Sequence, residues 1–264
     1  IFDFGRAAGP FNGDPGGGGP RPVGGGNFGG GGDTPTIFFS RRIGLSNGRN
    51  VPILGGGRLT GKAGPFSIGA LNIQTEDAPE ANALSTNFTV IRLKRDILRR
   101  SQIGAIFTRK SLSTVAPGSN EVYGIDAAFS FFDNLNFNGY YARSNTPSRQ
   151  DNDTSYQAAL NYAGDLYSVR LDHLLVGSNF NPEVGFMRRA DFRRTLSSFD
   201  FKPRPSGIAS VRQFTLGTSL DYIENGSGQL ETRTIQLRFK TEFENSDLFS
   251  VDVMDNHELL VDPF

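Results

Sequence analysis

The sequence predicts an all-β chain, an incomplete antiparallel up-and-down transmembrane β-barrel of about 12 to 14 strands. Three observations carry that expectation. Past Thr36, short segments alternate apolar and polar residues; the connections between them alternate between tight and long; and no stretch approaches the roughly 20 apolar residues that a membrane helix needs.

The alternation is clearest from Glu121 to Phe131. Tyr123, Ile125, Ala127, Phe129 and Phe131 share one parity, and Gly124, Asp126, Ala128 and Ser130 the other. Successive strand residues point to opposite faces, so such a segment presents one apolar face and one polar or small one. Leu135, Phe137, Gly139 and Tyr141 oppose Asn136 and Asn138 in the same way, and Tyr156, Ala158, Leu160 and Tyr162 oppose Gln157, Ala159 and Asn161. Further on, Phe214, Leu216, Leu220 and Tyr222 oppose Thr215, Gly217, Ser219 and Asp221. Ile235, Leu237, Phe239 and Phe243 oppose Gln236, Arg238, Lys240 and Glu242.

Gly64-Pro65, the Arg99 to Ser101 corner, Asp133-Asn134, Gly164-Asp165 and Ala190-Asp191 read as tight turns. Longer polar connections lie at 76–86, 110–120, 146–153 and 177–181. Short turns on one side of a membrane and longer loops on the other produce this rhythm. It slips near the end, where Pro203 to Ile208, Asn225 to Gly228 and Asn245 to Asp247 follow one another, and a misassigned strand is the account of the slip. A soluble β-sandwich or β-solenoid gives similar alternation.

Composition agrees with a two-faced sheet. The 264 residues include 33 Gly and 23 Phe, no Trp, and a hydrophobic fraction of 37%, low for a single soluble core of this length. A sheet between lipid and water needs alternation more than bulk hydrophobicity. Tyr and Phe near segment ends suit interfacial girdles, a signal that the missing Trp weakens. The 27 basic and 27 acidic residues cancel, which leaves no field that would select nucleic acid. Without Cys there are no disulfides, thiolate metal sites or thiol nucleophiles.

Residues 9–35 hold runs of glycine interleaved with proline, too poor in apolar side chains to repay ordering. The expected division is therefore a flexible linker over 1–36 and a barrel segment over 37–264. The chain opens Ile1-Phe2-Asp3-Phe4 with neither Met nor a leader, so the expectation is a fragment.

Gly56-Gly57-Arg58-Leu59-Thr60-Gly61-Lys62-Ala63 nearly spells a phosphate-binding loop, but Ala63 replaces the hydroxyl residue and Gly64-Pro65 follows where a helix must begin. A glycine-rich strand end is the better reading. Basic clusters recur at Arg41-Arg42, from Arg92 to Arg100, at Arg109-Lys110, Arg188-Arg189 and Arg193-Arg194. Turned to lipid they would cost several kcal/mol, so they face the interior or a rim. The candidate interior charges are Arg92, Lys94, Asp96, Asp126, Arg170, Asp172, Arg238 and Lys240. An internal ion-pair network with acids such as Asp96, Asp126, Asp172 and Asp191 is expected, and an anion-selective lining is the alternative. No carboxylate pair has a spacing that singles out an acid and a base. His173 and His257 lack partners at metal or triad spacing and read as structural. No catalytic, metal or cofactor residue is assigned, and no cofactor is expected.

Several strings resemble successive signatures of one uncharacterised bacterial family, a domain of unknown function. They are Phe38-Phe39-Ser40-Arg41-Arg42-Ile43-Gly44, Val51-Pro52-Ile53, Gly57-Arg58-Leu59-Thr60-Gly61-Lys62, Asn87-Phe88-Thr89-Val90 with Lys94-Arg95-Asp96-Ile97-Leu98 and Ser101, and Asn179 to Phe186. The resemblance covers about residues 37–200 well and the rest loosely. It implies a large envelope protein of a Gram-negative-type bacterium, with a sugar-binding β-sandwich similar to family-nine carbohydrate-binding modules ahead of an outer-membrane barrel. It further implies that this module precedes Ile1, that the chain runs on past Phe264, and that the hydrolase label some members carry rests on the module. The resulting expectation is a non-enzymatic scaffold or conduit in the outer membrane. Its partners would be the lipid bilayer and, through the missing module, carbohydrate, with no nucleic acid. The alternatives are a membrane-anchored glycan hydrolase and a soluble carbohydrate-binding β-sandwich.

Overall fold

The structure is a computed structural model that describes residues 1–5 and 33–259. Among the described residues there is no α-helix. Two short 3-10 turns, Ser40–Arg42 and Pro79–Ala81, accompany a small hairpin of β1 (Leu45–Ser46) and β2 (Arg49–Asn50). The remaining strands are β3 (Ile53–Ala63), β4 (Phe66–Thr75), β5 (Asn87–Ile97), β6 (Ser101–Lys110), β7 (Asn120–Phe131), β8 (Leu135–Asn145), β9 (Thr154–Ala163), β10 (Tyr167–Val176), β11 (Phe192–Phe201), β12 (Val211–Asn225), β13 (Leu230–Phe243) and β14 (Leu248–Glu258). They form one twelve-stranded antiparallel up-and-down sheet in sequence order, β3 to β14. Each strand pairs with its chain neighbours, the pattern that tight turns enforce.

Connections at one set of strand ends are 64–65, 98–100, 132–134, 164–166, 202–210 and 244–247. At the other ends lie 76–86, 111–119, 146–153, 177–191 and 226–229. Leu98 and Phe132 take left-handed conformations in their turns, with φ of 54° and 56°. The slip in the expected rhythm has a specific cause. Ala190-Asp191 is not a tight turn between strands but the end of one long connection, 177–191, after which β11 begins. Pro182 cannot donate to a ladder, and the Asn179 to Phe186 string, which resembles alternation, folds as a loop with Phe180 and Val184 fully buried.

The chain divides into two compact units, one comprising Ile1–Phe129, Asn138–Gln157 and Val176–Ala190, the other Ser130–Phe137, Ala158–Leu175 and Asp191–Phe264. In the first unit the sheet is inverted relative to a soluble protein. The parity of β5, β6 and β7 that carries Arg92, Thr108 and Asn120 is buried, together with Val90, Ile106 and Val122. The opposite parity, Ile91, Leu93, Ile103, Tyr123 and Ile125, is exposed. The register stacks these exposed side chains in rows, with Ile68 opposite Leu93, Leu93 opposite Ala105 and Ala105 opposite Ile125.

The second unit repeats the division. Leu216, Leu237, Phe239, Val251 and Val253 are exposed on one face of β12 to β14, while Asp221, Gln236, Arg238 and Asp252 occupy the other. Tyr167 stacks on Phe199 and Phe201, and Phe214 on Phe239, so aromatic rings pair along the apolar face. Among the described residues the terminal strands β3 and β14 each have a single hydrogen-bonded neighbour, and every residue of both is exposed.

Of the span read as a linker, residues 6–32 lie outside the described residues. Ile1 to Gly5 lie against the polar face of the first unit, and Thr36 bridges to Phe186.

Candidate functional site

The polar face of the first unit centres on Arg92 and Asp126. Arg92 projects from β5 and Asp126 from β7 on this same face, with β6 between them. The guanidinium forks onto the carboxylate, Nη1 to Oδ1 and Nη2 to Oδ2 both at 2.7 Å. Two strands apart, the groups meet because the intervening residue is Gly104: a Cβ there would lie 2.5 Å from Nη1 of Arg92 and 2.7 Å from Oδ1 of Asp126. The Arg92 side chain is 0% exposed and that of Asp126 11%. Burial this deep is tolerable only when the remaining donors and acceptors are also satisfied. The N-terminal residues supply part of this: Nε of Arg92 donates to the Asp3 carbonyl at 3.2 Å, and the Gly5 amide donates to Oδ2 of Asp126 at 3.3 Å.

Lys94 follows on the same face and is half-buried beside Gly104 and Ser67 in register. Asp96 pairs with Lys62 of β3 at 2.9 Å in an exposed bridge. The phosphate-loop-like string is therefore an extended strand paired with β4, with Lys62 opposite Ser67, and carries no anion cradle.

In the second unit, Arg238 Nε donates to Asp252 at 2.8 Å, and Gln236 donates to the same oxygen at 2.9 Å. Lys240 sits two residues on, between Thr215 and Ser250. Arg170 and Asp172 are half-buried on β10, and neither is without a partner. The expected interior charges thus lie on the polar face; of the pairs Arg92–Asp126, Lys62–Asp96 and Arg238–Asp252, the first is the most buried. Asp191 lies at the base of the long connection in a left-handed conformation, its carbonyl accepting from the Gly226 amide at 3.0 Å.

Two constellations escaped the sequence reading. Arg194 and Asp221 form a forked pair, Nε to Oδ1 at 2.8 Å and Nη2 to Oδ2 at 2.6 Å. Parity was its signal, since Asp221 already stood on the polar side of β12. The other is Glu183, whose side chain is 4% exposed. It accepts from Lys110 Nζ at 3.0 Å, Ser113 Oγ at 2.6 Å and the Thr114 amide at 2.9 Å. Fully buried Asn120 clamps the same loop, donating to Asn181 O and Thr146 Oγ1 at 2.8 Å and accepting from the Glu183 amide at 3.3 Å. Burial pushes the Glu183 carboxyl up, but the Ser113 hydroxyl, the Lys110 ammonium and the Thr114 amide outweigh it and hold it below the usual carboxylate range. No sequence spacing foretells this cluster, because its members come from connections far apart in the chain.

Charges on the apolar-parity face stand near strand ends, where they pair across strands: Arg109 with Glu121, Arg143 with Asp153, Arg193 with Glu224 and Arg233 with Asp255. At the short-turn end the Arg95 guanidinium lies over the Phe66 ring, 5.2 Å from its centroid. His173 meets Thr195, Nδ1 to Oγ1 at 2.9 Å, across β10 and β11, and His257 is exposed on β14 opposite Arg233. Among the described residues no group of three or more His, Cys, Asp and Glu is placed to hold a metal ion. A shallow cleft in the second unit is lined by Ser210, Phe243, Glu244, Asn245 and Asp247. The chemistry this arrangement supports is charge pairing across a sheet. No family model, curated protein or solved structure matches the chain.

Proposed function

We propose that the chain is the lipid-embedded part of an outer-membrane β-barrel, acting as scaffold or conduit for an attached carbohydrate-recognising domain. The carrying observation is the inversion of the sheet: large apolar residues such as Ile125 and Leu237 are exposed while Arg92 is buried. Water penalises such a face, and lipid does not. The strands suit the role in length, since β6 and β8 have 10 and 11 residues and β7 has 12, enough for the roughly 9–11 tilted residues that cross a bilayer. Charges on the apolar-parity face stand near strand ends, where headgroups and water are within reach.

The reading makes a demand on the sheet. In lipid an unpaired strand edge is untenable, so β3 and β14 must find partners, by closure or through further strands. The carbohydrate-recognising domain enters from the family resemblance alone. Expression of the intact gene followed by envelope fractionation tests the proposal. It requires the product in the detergent-extracted outer-membrane fraction, and recovery as a soluble periplasmic protein would sink it.

A further inference from the structure

We propose that the polar face of β4 to β8 is a binding site for an extended Phe-x-Phe-Gly peptide, filled in cis by Phe2, Asp3, Phe4 and Gly5. The main chain is gripped first. Beyond the guanidinium fork, Nε of Arg92 and a lone pair on Oδ2 of Asp126 take the Asp3 carbonyl and the Gly5 amide. Two main-chain bonds two residues apart fix the register of an extended segment without reading its side chains.

Side-chain recognition follows from the alternation. Phe2 and Phe4 are half-buried while Asp3 is exposed. Phe4 enters the space that Gly124 leaves empty, where a Cβ would come 2.5 Å from its Cζ. Its ring meets Tyr140 edge-on, with centroids 5.4 Å apart, and the Arg92 guanidinium lies 5.3 Å from its centroid. Phe2 lies over Gly69, against Phe38 at 5.2 Å, with the Arg58 guanidinium 5.7 Å from its ring. Each aromatic position thus has a glycine gap beneath it and an arginine beside it, a combination that favours flat electron-rich rings over aliphatic side chains.

The final glycine is required twice over. Gly5 has φ of +68°, and a Cβ on it would lie 2.7 Å from the Tyr140 ring. The Asp3 side chain is exposed and meets Lys94 only through its charge, with no hydrogen bond or ring contact shown to read its shape. Seated in this way, the segment covers an ion pair whose arginine is fully buried and pins the chain just ahead of its glycine-rich stretch. The inference does not depend on membrane embedding.

Hydrogen exchange on the unaltered chain, refolded in detergent, is the first test. The Gly5 amide is expected to exchange at least about tenfold more slowly than in the free peptide Ile-Phe-Asp-Phe-Gly. The second test uses Gly5→Ala, which alters the segment and leaves the sheet intact. Dye-labelled acetyl-Phe-Asp-Phe-Gly-amide should bind this variant saturably by fluorescence anisotropy, while the Ala-Asp-Ala-Gly counterpart should not. An unprotected Gly5 amide in the unaltered chain would overturn the proposal. So would equal binding of the two peptides, or binding of neither.

Discussion

Arginine placed at Ile125 separates a lipid-facing sheet from a water-facing one. Ile125 lies near the middle of β7 and is 63% exposed. Directly opposite is Ala105, and beyond it Leu93 and Ile68, so an arginine there meets no carboxylate across the strands. The nearest acid on the same parity of β7 is Glu121, four residues away, or about 13 Å at about 3.3 Å per residue. That distance exceeds the reach of a guanidinium, so Ile125→Arg must carry its charge unpaired. In water an exposed substitution of this kind is worth no more than about 0.5 kcal/mol either way. At the middle of a bilayer it costs about 2–4 kcal/mol, falling to about 0–1 near the interface.

Phe131→Arg, at the end of the same strand, supplies the interfacial comparison. The assay is a urea titration of refolding into lipid vesicles, with β content followed by circular dichroism and vesicle insertion by protease protection. A 2–4 kcal/mol penalty at position 125 lowers the folding constant roughly 30- to 700-fold. Equal, near-zero effects at 125 and 131 would refute the membrane assignment of this face, whatever the chain's behaviour in detergent.

Other perturbations address the polar face and the long connection. Asp126→Ala leaves the fully buried Arg92 without its fork and should cost about 3–5 kcal/mol, whereas the Arg92→Met and Asp126→Leu double variant should recover most of that loss; additive effects in a urea double-mutant cycle would contradict a direct pair. Because the Glu183 carboxyl is held below its usual range, its contribution to docking the 177–191 connection is present at neutral pH and is lost as pH falls through that lowered value. Limited proteolysis of this connection should therefore accelerate on acidification, and Glu183→Gln should be cleaved readily at neutral pH with the acid step abolished. A Cβ on Gly185 would overlap the Thr36 carbonyl oxygen, so Gly185→Ala should cost about 1–3 kcal/mol and expose residues 33–39 to protease ahead of the sheet; unchanged cleavage would mean that the Thr36 bridge to Phe186 does not hold that segment.

Strand parity was legible because it is a local property. Tyr123, Ile125, Leu216 and Leu237 were placed on the apolar face from period-two alternation alone, and each is exposed there. The turns at Gly64-Pro65 and Asp133-Asn134 were legible for the same reason. What escaped was set by tertiary contacts. The Asn179 to Phe186 string carries apolar residues at spacings a strand would also show, and only the clamp by Asn120, Ser144 and Lys110 makes it a loop. On the polar face the residue types were readable but their partners were not. Arg92 and Asp126 are both on the right parity, yet their pairing depends on the registers of β5 with β6 and of β6 with β7, which no single segment encodes.

Glycine ties these observations together. Several glycines on β3 meet open space, since a Cβ on Gly55, Gly57 or Gly61 would have nothing within 4 Å. On the polar face the opposite holds: Gly69 is filled by Ile1 and Phe2, Gly104 by Arg92 and Asp126, and Gly124 by Phe4. A pleated sheet normally separates charges on strands two apart by a row of side chains, which would leave Arg92 to water or to a direct neighbour. Removing one Cβ at 104 lets a bidentate pair span the gap, and removing two more at 69 and 124 lets aromatic rings close over it. The glycines at 69, 104 and 124 therefore serve, within the strands, to admit larger side chains where the sheet would otherwise be too thick.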